Sequence, residues 1–130
     1  MEHADLTAKA HQMFDAIAEG NKEKIFEVVA ANAVVWHNYD ETEKPVAPRI
    51  DMLGRIRNVA DDLRYDDRQY VALADGLILQ HSVRGRLKNG EEFSVPVMMR
   101  VYIRDGQLAR FEEYLDPAGF SSVYAALQDQ

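Results

Sequence analysis

The chain has 130 residues, 47% hydrophobic and 28% charged, which excludes a disordered polar chain on the first count and a membrane protein on the second. Fifteen basic against 22 acidic residues leave a net charge of −7, a poor basis for gripping nucleic-acid phosphates, so no nucleic-acid partner is expected. The absence of cysteine removes disulfides, thiolate nucleophiles and Cys-ligated zinc or iron–sulfur sites together. The length fits one domain, 1–130, with enough surface to bury a core unaided. The start MEHADLTAKA has neither the basic nor the apolar region of a signal peptide, so a soluble cytoplasmic protein with no membrane partner is expected. From Asp5 to Glu19, Leu6, Ala10, Met13, Phe14 and Ile17 recur at helical spacing, and Gly20 supplies the stop. Asn21 reads as the N-cap of a second helix that buries Ile25, Phe26, Val28 and Val29. Val34 to His37 reads as a short strand, Asp40 to Pro48 as a loop, and Arg49 to Asp62 as a third helix with Ile50, Leu53, Ile56 and Ala60 on one side.

After Leu63 the hydrophobic period changes from helical to two. Tyr65–Ala74, Leu77–Arg86, Phe93–Arg104 and Leu108–Leu115 read as four antiparallel strands. Asp75-Gly76, Asn89-Gly90 and Asp105-Gly106 are the hairpin turns between them, each with a positive-φ position expected. Asp116-Pro117 opens a C-terminal helix through Phe120, Val123 and Leu127. The order predicts an α+β fold with helices on one face of a curled sheet. Strand parity gives Phe93, Val95, Val97, Met99, Val101 and Ile103 one inward face. It also turns three polar residues inward: His37, His81 and Glu113. A buried polar group costs stability unless it has a partner, so each of the three is a candidate functional group.

With that order of elements, the segment Ala18-Glu19-Gly20-Asn21, the run Ala33-Val34-Val35-Trp36-His37-Asn38 and the close Phe111-Glu112-Glu113-Tyr114-Leu115-Asp116 resemble the nuclear-transport-factor-2-like superfamily. That group includes SnoaL-like polyketide cyclases, ketosteroid isomerases and limonene-epoxide hydrolases. The resemblance spans essentially the whole chain. It implies a cystatin-like cone, with N-terminal helices packed on a strongly curved antiparallel sheet. It does not imply one reaction, because the fold hosts many. The isomerase pattern is broken: Met13 stands at the position of its donor tyrosine, His37 at its carboxylate base and Met99 at its protonated acid, and a thioether cannot donate to an enolate. The epoxide-hydrolase pattern is broken too, since Val35 and His37 replace its water-positioning tyrosine and asparagine. Gln80-His81-Ser82-Val83-Arg84 also lacks its Arg-x-Asp. Glu113 matches that family's last-strand aspartate and Phe111 its pocket aromatic.

The expected catalytic set is therefore His37, Glu113 and His81, with His37 as the leading proton-transfer residue on the cavity wall. Met13, Val35, Tyr39, Met99 and Phe111 are the expected ligand contacts in an apolar pocket. No cofactor and no metal are implied, and Asp116 is read as a cap alone. The expected partners are a small apolar ligand or substrate and a second copy of the chain. The second copy would pair through the outer sheet face that carries Met98, Arg100, Tyr102 and Tyr114. Two readings of function stay open. One is an enzyme (isomerase, cyclase, dehydratase or hydrolase) acting by proton transfer. The other is a non-catalytic module for ligand binding or protein association.

Overall fold

A computed structural model describes residues 3–129; residues 1–2, which enter the N-terminal reading, and residue 130 lie outside it. Helix α1, His3–Glu19, buries Leu6, Ala10, Met13 and Phe14, the stripe that helical spacing predicts. It ends at Gly20, whose φ of +72° lets the Gly20 N–H reach Ile17 O (3.1 Å) and the Asn21 N–H reach Ala16 O (2.8 Å). These two reverse bonds satisfy the last carbonyls of the helix. Asn21 then caps α2, Lys22–Val28, its Oδ1 accepting from the Lys24 N–H at 3.1 Å.

Helix α2 passes without a loop into β1, Val29–His37, which begins five residues earlier than the sequence suggests. The segment expected to be loop contains a short edge strand, β2, Glu43–Pro45, antiparallel to β1. Pro45 fits there because an edge strand can spare a donor. Helix α3, Val46–Val59, follows at once and runs into β3, Ala60–Leu73. Strands β4, Gly76–Leu87, β5, Glu92–Arg104, and β6, Gln107–Tyr114, complete the meander. The sheet order is β2-β1-β6-β5-β4-β3. All neighbours are antiparallel except β1 and β6, which run parallel, so the sheet is mixed where the sequence suggested antiparallel pairing throughout.

Two irregularities bend β3, between Asp61 and Arg64 and between Asp66 and Gln69, with Asp62 and Asp67 in the left-handed region (φ 57° and 56°). Such bulges add twist and curl the sheet around the helices. The expected turn at Asp105-Gly106 has two consecutive positive φ values, 53° and 78°, the mirror-image turn that suits a two-residue hairpin. Gly76 is different: its φ is not positive, and it is required because a Cβ there would lie 1.8 Å from Val101 O on β5. Asp116 caps the final turn, Pro117–Phe120, by accepting from the Ala118 N–H at 3.0 Å, and α4, Ser121–Gln128, closes the chain. The core lies between the concave face of the sheet and the helices, with Phe14, Leu77, Leu79, Leu108 and Val101 fully enclosed. No described helix is long and apolar enough to cross a membrane.

Candidate functional site

The parallel ladder of β1 and β6 sets Val35 against Phe111 and His37 against Glu113. Side chains at paired positions share a face, so this parallel register brings the histidine and the carboxylate side by side. His37 Nε2 lies 3.0 Å from Glu113 Oε2, with His37 wholly enclosed and the Glu113 side chain 14% exposed. The ring N–H does not point along the line to the oxygen, so the contact is close without being a straight hydrogen bond; His37 Nδ1 has no partner. The Tyr39 ring packs 4.9 Å from the His37 ring.

Glu113 opens onto a cavity of about 80 Å³ between α1, α3 and the concave sheet face. Three further polar side chains reach its wall: His81, Tyr65 and Arg49. His81, on β4, is 4% exposed and packs between the rings of Phe14 (4.5 Å) and Tyr65 (5.5 Å), its Nδ1 without a partner. Tyr65 arrives from β3 opposite Val83. Arg49 stands on the face of α3 that also presents Val46, Ile50, Leu53 and Ile56 to the cavity, at three- and four-residue spacing.

The electrostatics divide these groups into charged and neutral. Burial pushes the Glu113 carboxyl up, but contact with His37 and the charge of Arg49 outweigh it, and the pKa falls below its ordinary value. Glu113 is therefore ionised at neutral pH. Burial lowers the His81 pKa to about 4, the nearby Glu113 opposing and Arg68 assisting, so this imidazole is neutral. Burial raises the Tyr65 hydroxyl far above its usual range, with Glu113 adding to the effect, so it remains a donor. The cavity thus offers one carboxylate base, two neutral groups able to donate a hydrogen bond, and one guanidinium.

Of the residues singled out from sequence, Glu113, His81, Met13, Val35, Met99 and Phe111 line the cavity. His37 does not. It stands behind Glu113, enclosed by the strand pairing, which corrects its expected position on the wall. Tyr39 also lies outside the lining, 38% exposed beyond the end of β1. Glu113 is not paired with Arg84 or Arg100, which bind Asp66, Asp67 and Asp75. His37, His81 and Glu113 do not gather as a metal-holding group among the described residues. Sequence reading missed Arg49 and Tyr65. Arg49 had a signal, its offset of −4 from Leu53 on an apolar helical face, and Tyr65 had its parity with Leu63.

A sequence profile of the SnoaL-like domain matches residues 10–111. No curated protein matches the sequence at significant similarity. Among solved structures, TsrD of Streptomyces laurentii superposes with a TM-score of 0.78 at 18% identity, covering 97% of this chain and 98% of that one. A candidate polyketide cyclase of Xanthomonas campestris pv. campestris gives 0.75 at 17%, covering 92% and 96%. A candidate isomerase of Bacillus subtilis gives 0.75 at 15%, covering 97% of each chain. At these identities the likeness concerns the fold.

Proposed function

Since the chain belongs to the SnoaL-like domain family, we propose that it is a cofactor-independent enzyme that moves protons on a small apolar, carbonyl-bearing molecule held in the cone. The observation that carries this reading is the His37–Glu113 pair, in which only the carboxylate meets the cavity. Ionised Glu113 accepts a proton from a C–H bond beside the carbonyl. The bonding pair moves toward the carbonyl oxygen, and the enolate oxygen takes hydrogen bonds from neutral Tyr65 and His81. With a β,γ-unsaturated substrate, return of the proton from Glu113 to the γ-carbon of the dienolate makes an isomerase; attack of the enolate carbon on a second carbonyl, with Glu113 handing its proton to the resulting alkoxide, makes a cyclase. His37 is a positioning residue that holds Glu113 in place and favours its ionised form. The candidate polyketide cyclase and candidate isomerase among the similar structures support proton chemistry of this kind.

A second reading, a binding module without catalysis, is favoured by one observation. The cavity of about 80 Å³ is small beside the roughly 300–1,000 Å³ of ordinary ligand pockets. Deuterium wash-in from D2O, followed by NMR on a panel of small cyclic ketones and β-diketones, separates the two. The enzyme reading expects exchange above buffer, reduced about 10²-fold or more in Glu113→Gln. His37→Gln lowers the rate less and moves the acid limb of the rate profile to higher pH, because Glu113 loses the partner that holds its pKa down. No exchange with any ketone, or an unchanged rate in folded Glu113→Gln, leaves the binding module.

A further inference from the structure

Resting on the proton-transfer reading of the cavity, we propose that Arg49 is the recognition group for an anionic oxygen, and that the ligand is a small apolar monoanion carrying a carboxylate. Five arginines of the chain are half-buried: Arg49, Arg68, Arg84, Arg100 and Arg110. Four of them are held by carboxylates. Arg68 pairs with Asp15, Arg84 with Asp66 and Asp67, Arg100 with Asp75, and Arg110 with Glu43 and Glu112. Arg49 has no carboxylate within ion-pair distance among the described residues, and it alone of the five lines the cavity. A half-buried guanidinium with no carboxylate in contact is costly, so the fold that pairs its other half-buried arginines leaves this one for a partner that comes and goes.

A second observation points the same way. His81, 4% exposed and on the wall of the same cavity, keeps Nδ1 without a partner. A ligand bound here has its carboxylate on a forked guanidinium, and its carbonyl oxygen has the imidazole nitrogen to satisfy. The charge of Arg49 is felt across the site, since it opposes the burial that raises the Tyr65 and Tyr39 hydroxyls and helps to lower the Glu113 carboxyl. Glu113 is engaged by His37 and not by Arg49, so the two opposite charges remain separate features of one wall. A ligand that spans them has its carboxylate on Arg49, its apolar body against Met13 and Phe111, and its acidic C–H toward Glu113.

The test is an NMR titration of the protein with two acids, benzoate and hexanoate, and their neutral counterparts, benzyl alcohol and hexanol. The expected result is that the acids bind at least about tenfold tighter than the alcohols. Arg49→Gln should abolish that preference while leaving the alcohols unchanged, and Arg49→Lys, which keeps the charge but not the fork, should retain part of it. Equal binding of acid and alcohol, no binding of either, or a preference that survives Arg49→Gln overturns the proposal; the last outcome makes Arg49 an internal counter-charge for Glu113. Glu113→Gln keeps the acid preference on this proposal. Acid preference without deuterium wash-in therefore defeats only the catalytic reading, and wash-in without acid preference defeats only the role of Arg49.

Discussion

His81 and Glu113 respond to burial in opposite ways, and the difference is in their neighbours. His81 meets two aromatic rings and no carboxylate contact, so desolvation prevails and the cation is disfavoured. Glu113 meets His37 at 3.0 Å and the charge of Arg49, so its anion is favoured despite burial. The His81 shift has a consequence for stability. Its pKa is 6.5 when unfolded and about 4 when folded, so between those values the unfolded chain binds more protons. Stability from this residue is full above pH 6.5 and is lost as pH falls toward 4, by roughly 3 kcal/mol in all. Thermal melts between pH 7 and 4 should show this loss, and His81→Leu should flatten the curve across that window. A wild-type curve that is flat from pH 6.5 to 4 would mean that the imidazole is protonated in the fold. The charged and neutral assignments at the site were only half legible in the sequence. Parity on β1 and β6 turned both His37 and Glu113 inward, but that their strands pair side by side, and which of the two faces the cavity, depends on strand order and side-chain enclosure, which parity does not record. Arg49 escaped notice because a charged residue beside apolar ones on a helix is ordinarily read as its solvated margin.

Among the elements, those bounded by turn chemistry were legible and those without it were not. Gly20, Asn21, Asp105-Gly106 and Asp116-Pro117 each mark a boundary by a backbone requirement, and the structure uses each one. The junctions of α2 with β1 and of α3 with β3 have no intervening turn residue. Val28 and Val29 suit a helix's apolar side as well as a strand, and Asp61 suits a solvated helix face as well as its place opposite Arg86. Periodicity therefore extended both helices too far. The glycines give sharp tests at this scale. Gly76→Ala drives a Cβ into the Val101 carbonyl, an obstacle that cannot swing away, and should destabilise by about 3 kcal/mol or more in urea melts, the upper end for overpacking. Gly54→Ala, inside α3 with nothing within 4 Å of the new methyl group, should stabilise by about 0.5–1 kcal/mol. Equal effects at the two positions would contradict the close approach at Gly76.

On the whole molecule, the convex side of the sheet exposes large hydrophobic side chains. Met98 and Tyr114 are cross-strand partners on β5 and β6, 43% and 48% exposed, and Trp36 packs edge-on to Tyr114 at 5.5 Å. Arg100 lies 4.0 Å above the Tyr102 ring beside them. Aromatics, methionine and arginine grouped in this way are enriched where proteins meet. Sedimentation at micromolar concentration should report twice the 14.8 kDa of one chain, reduced to a single mass by Tyr114→Lys; a wild-type monomer would leave the patch without a partner of its own kind. The link between β1 and β6 has a different consequence, in the order of assembly and release. Asn38 ties the two strands twice: its N–H donates to Glu113 O at 3.1 Å, and its Oδ1 accepts from the Leu115 N–H at 3.0 Å, across 77 residues of sequence. Closing so long a loop costs more entropy than forming a hairpin, so these contacts are expected to follow the local hairpins of β3 to β6. On that order the His37–Glu113 pair forms with the last seam, and a partial opening that lifted β1 from β6 would disarm the site while leaving the meander folded.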